Sequence, residues 1–169
     1  LRSLSLRTFT PGHTGCQKVA IGVVTVTHDG TAYLSTSIGL CKLDSDRREL
    51  LPIPGTRTHS TLMAARDGSV WFATPNPRGK FPVPVRYDPS TGKVTDYPRN
   101  ELPGEPQTGG YITAFLEDKA GDIWYGTFGK GLFRLNPQSG KYRLYASSTD
   151  TATGIKTNVV RQICEDSSG

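Results

Sequence analysis

The chain has 169 residues with 20 Lys and Arg against 15 Asp and Glu, a formal charge of +5. The basic residues are scattered, with no run of like sign beyond pairs such as Arg47-Arg48, so an ordinary solvated surface is expected and not a nucleic-acid interface. Gly 19 and Pro 12 stay below the roughly 25–30% that marks a disordered chain, and the longest apolar run, "VAIGVVTV" at 19–26, is too short to cross a bilayer.

In chain order, short strands alternate with Gly, Pro and Asn/Asp turns, and no window keeps apolar residues at helical spacing for more than a turn or two. Residues 1–12, with "LRSLSLRTF", read as a single strand, followed by a strand at 18–28. Three units follow one another at 18–55, 58–98 and 111–147, and a last strand is expected at 158–169, "NVVRQICEDSSG". In the third unit, strands are predicted at 111–118, 122–127, 132–136 and 141–146. Phe133 and Leu135 point to one side there and Arg134 to the other. Asn136-Pro137 and Asp88-Pro89 pre-set the turn before the last strand of their units.

These units repeat one another. Tyr33, Trp71 and Trp124 share a column, as do Thr36, Thr74 and Thr127, and further on Lys42, Arg86 and Arg134. The aromatic positions lie 38 and 53 residues apart, and the turn glycines Gly121 and Gly169 lie 48 apart. Such periods suit the four-stranded blade of a β-propeller better than any helical repeat. The expected fold is therefore all-β, a β-propeller fragment of about three complete four-stranded antiparallel blades with partial blades at both ends. Residues 1–12 would be the outer strand of a preceding blade and 158–169 the first strand of a further one. The chain opens on Leu1, has Met63 as its single methionine and closes in "EDSSG", which reads as a piece of a longer protein.

A lone four-stranded sheet has two faces to bury, so Trp71 and Trp124 are expected as filler between adjacent blades. Closed propellers take four to eight blades, so the neighbouring blades of the same parent chain are the first partners expected. Cys16, Cys41 and Cys164 are far apart and form no zinc-type spacing, so no metal and no cofactor is expected; Cys41 reads as a small core residue.

The stretch "ITAFLEDKAGDIWYGTFGKGLFRLNPQSGKYRLY" resembles the two-component regulator propeller repeat, with Glu117, Asp118, Gly121, Ile123, Trp124, Gly126, Thr127, Gly131, Leu132 and Arg134 in the pattern positions. Glu165, Asp166 and Gly169 restart it. The second unit departs with Ala73 for the glycine and Pro84 for the leucine, and the first with Tyr33 for the tryptophan and Ser35 for the glycine. The resemblance implies the periplasmic or extracytoplasmic sensor of a hybrid histidine kinase-type receptor, recognising an oligosaccharide or other small ligand. It also implies that any membrane contact runs through parts of the parent not in this sequence. A homodimer is a further candidate assembly. The second unit also resembles streptogramin lyase-type propellers, whose site needs a particular His and Glu arrangement. His13, His28 and His59 do not supply a recognisable one, and no catalytic residue is assigned.

In an up-and-down meander the second-to-third strand loop and the link between units lie on one face. Both are long in unit two, "PNPRGKFPVP" at 75–84 and "PRNELPGEPQTGG" at 98–110. Recognition in such scaffolds gathers on loops. Arg78, Lys80, Arg99 and Glu101 are therefore the candidate ligand-binding residues, for a sugar acid or a partner subunit, against the plainer reading of solvated insertions. Lys42, Arg86 and Arg134 suggest blade-to-blade hydrogen bonds or salt bridges in preference to a basic ring.

Overall fold

A computed structural model describes residues 19–44, 46, 49–58, 61–74, 81–100, 102, 110–147 and 154–166. The strand expected within 1–12 lies outside these residues. The described residues contain strands and no helix. The first blade holds β1 (Ile21–Val26), β2 (Ala32–Thr36), β3 (Gly39–Asp44) and β4 (Glu49–Pro52). The second holds β5 (Leu62–Ala64), β6 (Val70–Thr74), β7 (Val83–Asp88) and β8 (Lys93–Asp96). The third holds β9 (Ile112–Glu117), β10 (Ile123–Thr127), β11 (Leu132–Asn136) and β12 (Lys141–Tyr145).

Each blade is an antiparallel meander in which every strand pairs with its sequence neighbours. The registers place Tyr33 opposite Lys42, Trp71 opposite Arg86 and Trp124 opposite Arg134, so the two repeated columns of the sequence are cross-strand pairs. Gly39 and Gly131 open the third strand of their blades at φ of +122° and +90°. A Cβ at Gly39 would meet the Thr56 carbonyl oxygen at 2.5 Å, and one at Gly131 would collide with the Tyr145 carbonyl. Only glycine fits a tight turn of this kind. Val83 holds the same position in the second blade, where residues 75–82 connect β6 to β7 in place of the tight turn, so that the last two residues of the expected 75–84 loop belong to β7.

The hydrophobic core lies between blades. Tyr33 and Leu40 of the first blade pack with Val70, Phe72, Val85 and Tyr87 of the second. Ala65 and Trp71 of the second pack with Ile123 and Leu135 of the third, and Ala73 with Ile112, Tyr125 and Phe133. Trp71 is 2% exposed and fills this junction as expected. Trp124 holds the same position one blade on and is half-buried, its ring stacked on Tyr145 at 5.3 Å.

The first strands β1, β5 and β9 lie side by side. Threonines tie them together: Ala64 N donates to Thr25 Oγ1 at 3.1 Å, Thr61 Oγ1 to the Thr113 carbonyl at 3.0 Å, and Thr113 Oγ1 to the Val160 carbonyl. Residues 158–166, expected to begin a further blade as a strand, run beside the third blade without joining a ladder. Their single bridge pairs Val159 with Phe128, supported by Val160 N donating to the Thr127 carbonyl at 2.9 Å. In each of the three blades the first strand pairs within its blade only with the second.

Candidate functional site

The turn between the first and second strands of each blade is built around an aspartate. Asp118 Oδ1 accepts from Ala120 N at 3.0 Å and Asp122 N at 2.9 Å, while its Oδ2 accepts from the Trp124 indole at 2.7 Å. Arg134 Nε lies 2.7 Å from Asp122 Oδ2 and its Nη2 3.5 Å from Asp118 Oδ2, both as ion pairs. In the second blade Asp67 takes over part of this arrangement, with Ser69 N and Oγ on Oδ1 and Arg86 Nη2 on Oδ2 at 2.8 Å. Partial burial pushes the Asp118 carboxyl up, but the bonds from Trp124 and Asp122 N and the charge of Arg134 outweigh it and hold it below the ordinary carboxylate value. Asp67 is depressed in the same way by Ser69 and Arg86 against the cost of burial.

These contacts correct one expectation. Arg86 and Arg134 bond carboxylates of their own blades, Asp67 and Asp122, and not those of a neighbour. The register explains why. The basic residue stands opposite the aromatic one, two strands from the blade's innermost edge, and the nearest acid is the turn that leads into the aromatic strand. Lys42 sits opposite Tyr33, and its charge acts on Asp29 of the same blade.

A contact that sequence reading missed links the blades. Glu117 Oε2 accepts from Arg66 N at 2.7 Å and lies 3.4 Å from Arg66 Nε, clasping the turn of the preceding blade; Arg66 Nη2 reaches the Asp118 carbonyl. Glu165 repeats the clasp on Lys119 N at 3.1 Å. The signal was present in the columns: Glu117 and Glu165 align with Ala64 and Val26, so two of the four positions have an acid and two lack it.

Of the four proposed ligand-binding residues, Arg78, Lys80 and Glu101 lie outside the described residues. Arg99 is described, and its guanidinium stacks 4.3 Å from the Phe133 ring and 4.9 Å from the Phe81 ring, with Nη1 donating to the Asn100 carbonyl at 3.3 Å. Lys130, 6% exposed, approaches Phe81 from the next turn at 5.6 Å. The described ends of both long loops therefore meet, Phe81 from one and Arg99 from the other, over the third blade. Nearby on the chain, Tyr111 and Phe128 form an exposed stacked pair 5.4 Å apart.

His28 is an exposed turn residue, and His13 and His59 lie outside the described residues. Among the described residues no three His, Cys, Asp or Glu side chains converge as metal ligands, and no helix is long and apolar enough to cross a membrane. Cys41 is buried and Cys164 exposed, both as free thiols.

Residues 106–129, which run through the Asp118 turn and the Trp124 strand, match the two component regulator propeller family. No curated protein matches the chain in sequence. Among solved structures, the extracellular domain of the hybrid two component system BT4673 from B. thetaiotaomicron is similar with a TM-score of 0.67 and 20% identity, over 88% of this chain and 19% of that one. The extracellular domain of the hybrid two component system BT3049 of the same organism gives 0.59 and 18%, over 86% of this chain and 17% of that one. Virginiamycin B lyase from Staphylococcus aureus gives 0.52 and 24%, over 74% and 40%. The chain thus spans about a fifth of the length of the sensor domains it matches, and identities this low speak to the fold. The chain is a stretch of β-propeller in which residues 106–129 match the two component regulator propeller model.

Proposed function

We propose that this chain is part of the extracytoplasmic sensing propeller of a bacterial signalling receptor of the hybrid two-component type. The observation that carries the reading is the family match at 106–129, which falls on the structural heart of the third blade. The fold likeness to the extracellular domains of two such systems supports it. In this reading the blades are a scaffold and recognition of a small ligand, an oligosaccharide in the finer form of the proposal, belongs to loops and grooves between them. The face where Phe81, Arg99 and Lys130 meet is one such place, with Arg78, Lys80 and Glu101 on the same two loops.

The test is to sequence outward from both ends of the coding segment. A membrane-spanning stretch followed by a histidine kinase or DNA-binding sequence supports the receptor. A short continuation that closes one ring and stops contradicts it and favours a free-standing enzyme or binder.

A further inference from the structure

The second and third blades differ at one position that opens a cavity. In the third blade the Trp124 indole N–H is capped by Asp118. The same position in the second blade is Ala65, and the Trp71 N–H has no hydrogen-bond partner among the described residues, although Trp71 is 2% exposed. The two rings sit alike, since each lies against the last aromatic of its blade: Trp71 tilted against Tyr97 at 5.0 Å and Trp124 stacked on Tyr145 at 5.3 Å. Where Asp118 stands in one blade, the other has a groove of about 360 Å³, walled by Ala65, Trp71, Asp67, Arg86 and Tyr97 and closed by Glu117 of the next blade. That volume lies within the roughly 300–1,000 Å³ of small-molecule sites. The Trp71 N–H is unpaired but not sealed from water, and a donor of that kind on a groove wall can take a ligand acceptor in place of water.

We propose that this groove binds a neutral, hydroxyl-bearing small molecule, a single sugar unit in its chemistry. Charge selects the class. Asp67 is bridged to Arg86 at 2.8 Å, with Asp88 a further 4.0 Å from that arginine, and Glu117 lies 3.4 Å from Arg66. An anionic ligand would face the Asp67 and Glu117 carboxylates on the groove wall, and a cationic one would meet the Arg86 guanidinium. A hydroxyl meets both needs, accepting from the Trp71 N–H and donating to a carboxylate oxygen of Glu117 or Asp67. The site lies at the turns between first and second strands, on the opposite face from the long loops, and does not depend on the receptor reading.

The test uses the isotope-labelled chain, whose two tryptophans give two indole N–H resonances, titrated with methyl glycosides of glucose, galactose, mannose and xylose. The Trp71 resonance is expected to move saturably with at least one of them while Trp124 stays in place. Ala65→Asp, which supplies the internal cap, should weaken that response by roughly tenfold or more. No movement of Trp71 with any glycoside, or an equal response in Ala65→Asp, overturns the proposal. A second measurement needs no variant: the Trp71 indole proton should exchange with solvent faster than that of Trp124, and exchange as slow as Trp124 would mean that the groove is closed and the proposal wrong.

Discussion

Replacing Asp118 by alanine isolates what the repeated turn contributes. The carboxylate holds Trp124 Nε1 at 2.7 Å, Ala120 N at 3.0 Å and Asp122 N at 2.9 Å. Arg134 keeps its 2.7 Å ion pair with Asp122, which survives the change. The two backbone groups sit at a turn that water reaches, and their replacement costs little. The indole bond to a charged acceptor is the main loss, about 1.5–3 kcal/mol for a hydrogen bond of that kind. Allowing for the turn, Asp118→Ala should destabilise the chain by about 2–3 kcal/mol, or roughly 4–12 °C in Tm for a protein of this size. Asp118→Asn keeps an acceptor for the indole and should lose about half as much. The blade itself should survive, because Ala65 occupies this position in the second blade and Trp71 still packs there. Urea and thermal unfolding followed by tryptophan fluorescence measure the effect. A loss below about 0.5 kcal/mol, the size of an ordinary surface change, would refute the assignment of Asp118 as a structural cap.

Glu117→Ala should cost about 1–2 kcal/mol, and the double variant with Arg66→Ala should cost less than the sum of the two singles, since both act through one clasp. Phe133, fully buried and stacked on Tyr125 at 4.9 Å, should lose about 3–5 kcal/mol on truncation to alanine in the same unfolding assay. Gly126→Ala should loosen the 158–166 segment, because the new Cβ would lie 2.8 Å from Val160 Cγ1; faster amide exchange at Val160 reads this out. Asp29, Asp67 and Asp118 titrate lower in the folded chain than when unfolded, with Asp29 brought down to about 2 chiefly by the Thr27 hydroxyl. Their stabilisation is complete above the unfolded value of about 3.9 and is lost as pH falls through the folded values. Tm should therefore drop between about pH 4 and 2, less steeply in Asp118→Asn, and a flat acid limb would contradict the turn assignment.

Strand alternation and turn residues made the blades legible in the sequence, because both are local. The third unit reads almost residue for residue, with β11 at Leu132–Asn136 falling on the predicted 132–136. Contacts between blades were harder. Glu117 meets Arg66, 51 positions away, and no local pattern announces such a pairing; only the column shared by Glu117 and Glu165 hinted at it. The basic column was visible but its direction was not, since whether Arg134 reaches its own turn or a neighbour's depends on the cross-strand register. Arg99 was singled out for its charge and its loop; that its guanidinium also rests on Phe133 is a contact that net charge does not reveal. The groove beside Trp71 was hidden because it comes from a small residue, Ala65, and attention to chemistry-bearing side chains passes over the place where one is missing.

The measurement that bears most directly on the account is the side of the membrane on which these blades lie. A cysteine placed at Thr91, exposed in the turn at the outer edge of the second blade, can be labelled in intact cells making the parent protein with a maleimide that does not cross the cytoplasmic membrane. Labelling before lysis is the result that an extracytoplasmic sensing propeller predicts. Labelling that appears only after lysis would place the blades in the cytoplasm and contradict the receptor reading, leaving the fold as described.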